Sequence, residues 1–247
     1  MSDLNLQDNN DVDNKIRLQL YLARCGVASR RGSEVFITDG RVIVNGAIVT
    51  ELGTKVSLED VVLVDGKQVT LEEKKRYVLL NKPAGYVCSL ADEKNRPVAA
   101  DLLKPHFSER LYNVGRLDMF SQGLIIFTND GEFAKEISHP SSGIEKEYLV
   151  ETSLPIPFHL SEKFMKGIRI DDVFYKCRKA EQLSARQIKI VLVEGKNREI
   201  RRVFEEFEIG IKSLTRTRIG TIAMDDLEVG QYREITKTEI ENLRSLI

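Results

Sequence analysis

The run Leu71-Glu72-Glu73-Lys74-Lys75-Arg76 carries five charges in succession and divides the chain into a short first part and a much longer second one. A hydrophobic core cannot continue through such a stretch, so two folded units joined near it are expected. Hydrophobic residues are 42% of the 247, enough for each unit to build a core, which excludes disorder as the main state. The longest apolar runs, such as Leu124-Ile125-Ile126-Phe127, fall far short of the roughly 20 residues that span a bilayer. No membrane segment is expected. Residues 1–14 are polar and acidic, without the basic start and apolar middle of a secretory signal, and read as a disordered tail on a cytoplasmic protein. Cys25, Cys88 and Cys177 are odd in number and far apart, as free thiols in a reducing compartment are, and they offer neither a disulfide frame nor a zinc motif.

In the short part, Ile16, Leu20 and Ala23 recur at helical spacing, and Gly26 supplies a C-terminal stop. Ser29 then stands as an N-cap before a second helix carrying Val35, Phe36 and Ile37, which Asp39-Gly40 closes. Arg41-Val42-Ile43-Val44 and Ala47-Ile48-Val49 flank Asn45-Gly46, the dipeptide of a type I′ hairpin turn, and a further strand near 61–64 ends at Asp65-Gly66. The expected boundaries are a small module over 15–66, a linker over 67–76 and a second domain over 77–247. That domain opens on the strand Tyr77-Val78-Leu79-Leu80. It mixes strands at 124–127, 147–150 and 188–193 with helices at 131–139, 161–167 and 198–207, an α+β pattern without regular βαβ alternation.

Thirty-seven basic residues against 38 acidic leave a net charge of −1, so only the local placement of charge bears on a polyanionic partner. Arg24, Arg30, Arg31 and Arg41 cluster about the turns and helix starts of the small module. Two arginines beside free helix amides form an anion site, and RNA phosphates are the expected anion; a solvated charged face is the alternative. In 198–207, Ile200, Val203, Phe204 and Phe207 fall on one helical face and Arg198, Arg201 and Arg202 on the other. Cations in a first helical turn oppose the helix dipole, so either a bound anion or pairing with Glu194, Glu199 or Glu205 must hold them there.

Gly115-Arg116-Leu117-Asp118 precedes the apolar strand 124–127, with Ser121 and Gly123 between, which puts Asp118 in a loop at the lip of a sheet. A lone loop aspartate is by default a turn former, and Arg116 beside it could equally be its structural ion pair. His106, His139 and His159 are too dispersed for a metal motif, and neither a dinucleotide fingerprint nor a P-loop is present.

The run Gly115-Arg116-Leu117-Asp118-Met119-Phe120-Ser121-Gln122-Gly123-Leu124, ending in Thr128-Asn129-Asp130-Gly131, resembles the G-R-L-D-x-x-[TS]-x-G-L signature of the RsuA-like bacterial ribosomal-RNA pseudouridine synthases. Leu80-Asn81-Lys82-Pro83-Ala84-Gly85-Tyr86, Lys146-Glu147-Tyr148-Leu149-Val150 and the stretch from Glu194-Gly195-Lys196-Asn197 to Val203-Phe204-Glu205 agree with the same family in order. The small module resembles the S4 RNA-binding domain. The resemblance covers nearly everything from Ile16 to Thr236. It implies an S4-like module ahead of a larger, mixed and mainly antiparallel catalytic domain, and isomerisation of a uridine to pseudouridine.

By that resemblance Asp118 is the essential aspartate, acting as nucleophile or as base on a sugar proton, on a base flipped from its stack. Tyr148 is the active-site tyrosine, and Arg116 the arginine that fills the space the base vacates. Lys196 stands at a basic position, often Arg, that pairs with the aspartate; since lysine lacks the bidentate fork, Arg201 competes for that role. Lys82 is expected to meet phosphate. Nothing is oxidised or hydrolysed, so no cofactor and no metal are implied. The expected partner is ribosomal RNA or a subunit precursor, met by a monomer away from membranes. Large-subunit RNA is slightly favoured by Ala28-Ser29-Arg30-Arg31, while Gly85-Tyr86-Val87-Cys88-Ser89 and Arg218-Ile219-Gly220 lean to the small subunit. Two other readings are open: a catalytically silent RNA- or ribosome-binding protein with a retained synthase fold, and a synthase for transfer RNA.

Overall fold

The computed structural model describes residues 15–89 and 94–247, so the tail expected over 1–14 lies outside the described residues. The chain forms two compact units, Met1–Lys75 and Arg76–Ile247. No helix among the described residues is long and apolar enough to cross a membrane.

The first unit follows local rules almost throughout. Its elements are β1 (Ile16–Arg17), α1 (Leu18–Arg24), α2 (Arg30–Thr38), β2 (Val42–Val44), β3 (Ala47–Ile48), β4 (Lys55–Val56), β5 (Val62–Val64) and β6 (Lys67–Gln68). The first helix begins later than its apolar spacing predicts, because Ile16 and Arg17 pair with Val56 and Lys55 as a short ribbon. Ser29 caps α2 as expected, its Oγ accepting from Gly32 N at 3.0 Å. Asn45 and Gly46 both have positive φ, 49° and 85°, as a I′ turn requires. Asp65 and Gly66 repeat that geometry at 49° and 77° and return the chain as β6, so the sheet order is β3-β2-β5-β6. The segment expected to begin the linker is thus an edge strand, and the unit continues to Lys75. Leu18, Leu22, Ile37, Val42 and Val56 are wholly buried between the two helices and the sheet.

The second unit is built on β7 (Tyr77–Lys82), β8 (Tyr112–Val114), β9 (Gln122–Thr128), α3 (Gly131–Ser138), β10 (Lys146–Thr152), α4 (Leu160–Lys166), β11 (Ile168–Ile170), β12 (Val173–Tyr175), β13 (Lys179–Ser184), β14 (Gln187–Leu192), α5 (Glu199–Glu206), β15 (Ile211–Ile219), β16 (Ile222–Ala223), β17 (Tyr232–Glu234) and α6 (Lys237–Arg244). Nine strands make one sheet in the order β13-β14-β10-β15-β9-β7-β17, with β16 on β15 and β8 on β9; β11 and β12 form a separate hairpin. Successive side chains of a strand face opposite ways, which gives the sheet two cores. Val78, Leu80, Ile125 and Phe127 pack with Phe164 of α4 and Ile200, Val203 and Phe204 of α5. Leu79, Leu124 and Ile126 pack with Phe133 and Ile137 of α3 and Leu243 of α6. The apolar face predicted for 198–207 is the one α5 buries.

Every pairing in this sheet is antiparallel except one. β9 and β15 run parallel and pair over two residues only, Gln122 with Thr215 and Gly123 with Arg216. The junction is tight: a Cβ at Gly123, whose φ is +105°, would lie 2.3 Å from the Arg216 carbonyl oxygen. Only glycine satisfies both the torsion and the approach. Gly123→Ala is therefore expected to lower the unfolding free energy of the second unit by at least about 2 kcal/mol, read by urea denaturation. A change of a few tenths would show that the junction yields.

Candidate active site

Asp118 sits in the loop between β8 and β9, as its position before an apolar strand predicts. The loop is fixed by contacts from four directions. Ser121 N donates to Asp118 O at 3.0 Å and Gly85 N to Met119 O at 2.7 Å. Leu117 N donates to the Cys88 sulfur at 3.4 Å. Arg201, from α5, donates through Nη2 to Phe120 O at 3.0 Å and to Ser121 Oγ at 3.2 Å, and its Nε stands 3.7 Å from Asp118 Oδ2, within ion-pair reach but without a hydrogen bond. The last contact is Lys82. This lysine is fully buried, and its Nζ donates to Pro83 O at 2.8 Å, Tyr86 O at 2.9 Å and Met119 O at 3.3 Å. With all three ammonium hydrogens engaged under the loop, Lys82 cannot meet phosphate, which corrects the role expected for it.

Register sets what lies beneath the loop. Lys82 pairs with Gly123, Gly123 with Arg216, Arg216 with Tyr148, and Tyr148 with Ile190, a single row across β7, β9, β15, β10 and β14. Residues paired in a row share a face of the sheet. Tyr148 is 8% exposed and follows a register shift at Glu147/Tyr148, the kind of irregularity that re-aims a side chain. A cavity of about 740 Å³ is lined by Asp118, Arg116, Cys88, Lys196 and Arg198 among others. A second, of about 290 Å³, is lined by Tyr148, Lys146 and Arg216; Gly115, Arg116, Gly195 and Lys196 line both. Asp118 and Tyr148 thus face adjoining cavities with Arg116, an exposed side chain, along the common wall.

Lys196 is near the carboxylate's cavity but does not hold it. Its Nζ donates to Phe174 O at 2.6 Å and lies 3.6 Å from Glu194. Of the two basic candidates, Arg201 is the partner of Asp118, because the turn of α5 that buries Ile200 presents Arg201 to the loop. Its neighbours have acids of their own: Arg198, which caps α5 at φ +51° instead of starting it, pairs with Glu205 at 2.8 Å, and Arg202 with Asp171 at 3.5 Å. Pairing with Glu205, rather than a bound anion, accounts for Arg198. In the first unit Arg41 is a bidentate partner of Asp65, at 2.8 and 2.6 Å, with its guanidinium over the Phe36 ring, so it too is a structural cation. Arg24, Arg30 and Arg31 are exposed, and Arg30 and Arg31 have no ion pair among the described residues.

Sequence reasoning assigned no site role to two cations that line the smaller cavity, the half-buried Lys146 and the buried Arg216. Lys146 lies in a stretch that agrees with the family, which is the signal that could have found it, whereas Arg216 is one of three basic residues in β15 and nothing local sets it apart. Among the described residues no three His, Cys, Asp or Glu side chains are grouped to hold a metal ion.

The sequence matches the RNA pseudouridylate synthase family over residues 76–206 and the S4 domain over residues 16–62. A Borreliella burgdorferi protein described as an uncharacterized RNA pseudouridine synthase is 39% identical over 233 residues, 93% of each chain. Ribosomal large subunit pseudouridine synthase B of Bacillus subtilis is 39% identical over 236 residues, 93% of this chain and 96% of that one. A solved pseudouridylate synthase structure aligns with a TM-score of 0.68 at 30% identity, covering 92% of this chain and 99% of that one. The chain belongs to the RNA pseudouridine synthases, with an S4 domain ahead of its isomerase domain.

Burial holds the Lys82 ammonium down to about 8 from an ordinary value of 10.5, with Arg216 adding to the effect and Cys88 and Asp118 opposing it. The unfolded chain therefore binds the more protons between those two values, and the lysine's contribution to folding improves as pH rises through that window. Below about pH 8 its burial penalty is present in full. The stability of wild type relative to Lys82→Met is expected to rise by on the order of 1–3 kcal/mol between pH 7.5 and 10, measured by denaturant unfolding at each pH. A pH-independent difference would contradict this.

Proposed function

We propose that this enzyme converts a uridine of ribosomal RNA to pseudouridine, with Asp118 as the catalytic carboxylate. The observation that carries the reading is the Asp118–Arg201 pair at the edge of a cavity that adjoins the one lined by Tyr148. In the reaction the C1′–N1 bond breaks, the uracil turns, C1′–C5 forms, and the proton lost from C5 is balanced by one gained at N1. Redox state does not change. A carboxylate serves by attacking C1′ or by removing a sugar proton, and Arg201 orients it in either case.

The target base has to leave its stack to reach Asp118, at a few kcal/mol when paired, and stacking on Tyr148 offsets about 1–3 kcal/mol of that. Arg116, exposed between the two cavities, is placed to occupy the space the base leaves. Exposed Arg24, Arg30 and Arg31 on the S4 domain contribute phosphate contacts. The Bacillus subtilis relative is named for the large ribosomal subunit and matches nearly end to end, which supports large-subunit RNA as the substrate.

Incubation with ribosomal RNA or subunit particles, followed by mapping of pseudouridine, is the direct test. Asp118→Asn should give no product, and product from that variant would refute the assignment. Arg201→Ala is expected to lower kcat about 100-fold, and Lys196→Ala to stay within about tenfold of wild type. The reverse order would restore Lys196 as the aspartate's partner. Arg30→Ala with Arg31→Ala should weaken RNA binding and lower the slope of log K against log salt by about 2, with kcat nearly intact.

A further inference from the structure

Among the described residues, Lys146 and Arg216 in the wall of the smaller cavity have no acid within ion-pair reach. Donor counting separates them from Lys82, whose hydrogens are all engaged. Lys146 gives two hydrogens, to Ile144 O at 2.9 Å and Val193 O at 3.3 Å, and has one left. Arg216 gives Nε to Leu124 O at 2.6 Å, while its Nη2 is buried with no partner in a residue only 3% exposed. Nearby carboxylates are engaged elsewhere: Glu145 and Glu147 with Arg218, Glu147 also with Lys189, Glu194 with Lys196, and Asp118 with Arg201. Burial, and then repulsion from Arg216, holds Lys146 down to about 8. Burying cations without an acid is costly unless a ligand brings the missing charge.

The sheet junction explains how an arginine comes to be there. Leu124 is the first residue of β9 beyond its two-residue pairing with β15, and the Arg216 Nε reaches across to its carbonyl. That engages Nε and leaves Nη2 without an acceptor. Tyr148, Arg216's partner in register, forms another part of the same cavity wall.

We propose that Arg216 and Lys146 form an oxyanion subsite that receives a negatively charged oxygen of the RNA while Asp118 acts from the adjoining cavity. The inference rests on the reading of the chain as a uridine isomerase and goes beyond it in naming what balances negative charge. Two sources carry the same chemistry. One is a non-bridging oxygen of a phosphodiester flanking the target nucleotide. The other is uracil O2: when C1′–N1 breaks, the electron pair leaves with the base and its charge spreads over N1 and O2 until C5 bonds to C1′ and the C5 proton moves away.

The test uses the full-length enzyme and a short RNA substrate, made either with ordinary phosphates or with one neutral methylphosphonate on the 5′ or the 3′ side of the target uridine. Arg216→Gln and Lys146→Met are each expected to lower kcat/KM by about 30-fold or more with the unfolding midpoint retained, and Arg216→Lys to recover part of the loss. If a phosphate is the ligand, one methylphosphonate weakens RNA binding to wild type about 10-fold and costs Arg216→Gln nothing further. If the departing uracil is the ligand, methylphosphonates affect both proteins alike and the loss falls on kcat with RNA affinity unchanged.

Arg216→Gln and Lys146→Met both within threefold of wild type would overturn the subsite and leave the isomerase reading standing. Should Arg216→Gln fail to fold, Lys146→Met and Arg216→Lys decide in the same way. Wild type that forms no pseudouridine in any RNA would sink the isomerase reading, and the subsite with it.

Discussion

The catalytic sheet is joined through its middle by two residue pairs, Gln122 with Thr215 and Gly123 with Arg216. On one side stand β17, β7, β9 and β8, which carry the Asp118 loop; on the other stand β15, β10, β14 and β13, which carry Tyr148. The separation of carboxylate and tyrosine therefore depends on how closely β9 and β15 approach. A glycine with φ +105° against the Arg216 backbone permits that approach. Polar ties reinforce it: Gln122 Nε2 donates to Thr215 Oγ1 at 2.9 Å, Arg216 to Leu124 O, and Arg201 to Phe120 and Ser121. Geometry of that kind has to be held to fractions of an ångström for chemistry, and short parallel pairing alone would not hold it.

Charge in this unit is sorted by burial. The arginines of α5 that face outward have acids at 2.8 and 3.5 Å and act within the fold. Arg201, with its side chain 13% exposed, reaches Asp118, which faces the larger cavity. Lys82 is held by three backbone carbonyl oxygens and works as a clamp on the loop. That leaves Lys146 and Arg216, whose donors exceed their acceptors, as the place where substrate charge has most to contribute. Basic residues that look interchangeable in sequence thus do different jobs.

The S4 domain shows the opposite balance. Its turns, caps and strand pairs follow from dipeptides and spacings a few residues long, and its core is a thin layer between two helices and a four-stranded sheet. The sequence reading stopped at Asp65-Gly66, where the structure forms a second hairpin with the same positive-φ turn as the first. Arg41 was misassigned because its partner Asp65 is 24 residues away and comes beside it only when β2 and β5 pair.

Local signals in the sequence determined the two-unit division, the helices α1 to α5, the strands β2, β3, β5, β7, β9, β10 and β14, the apolar face of α5 and the loop position of Asp118, because each depends on neighbours within a turn of helix or a hairpin. Tertiary structure alone decided which cation meets Asp118, that Lys82 is a buried clamp, and that Arg216 and Lys146 lie together beside Tyr148. Those facts depend on register between strands far apart in the chain, and a side chain's charge is worth little as information until the fold shows what stands opposite it.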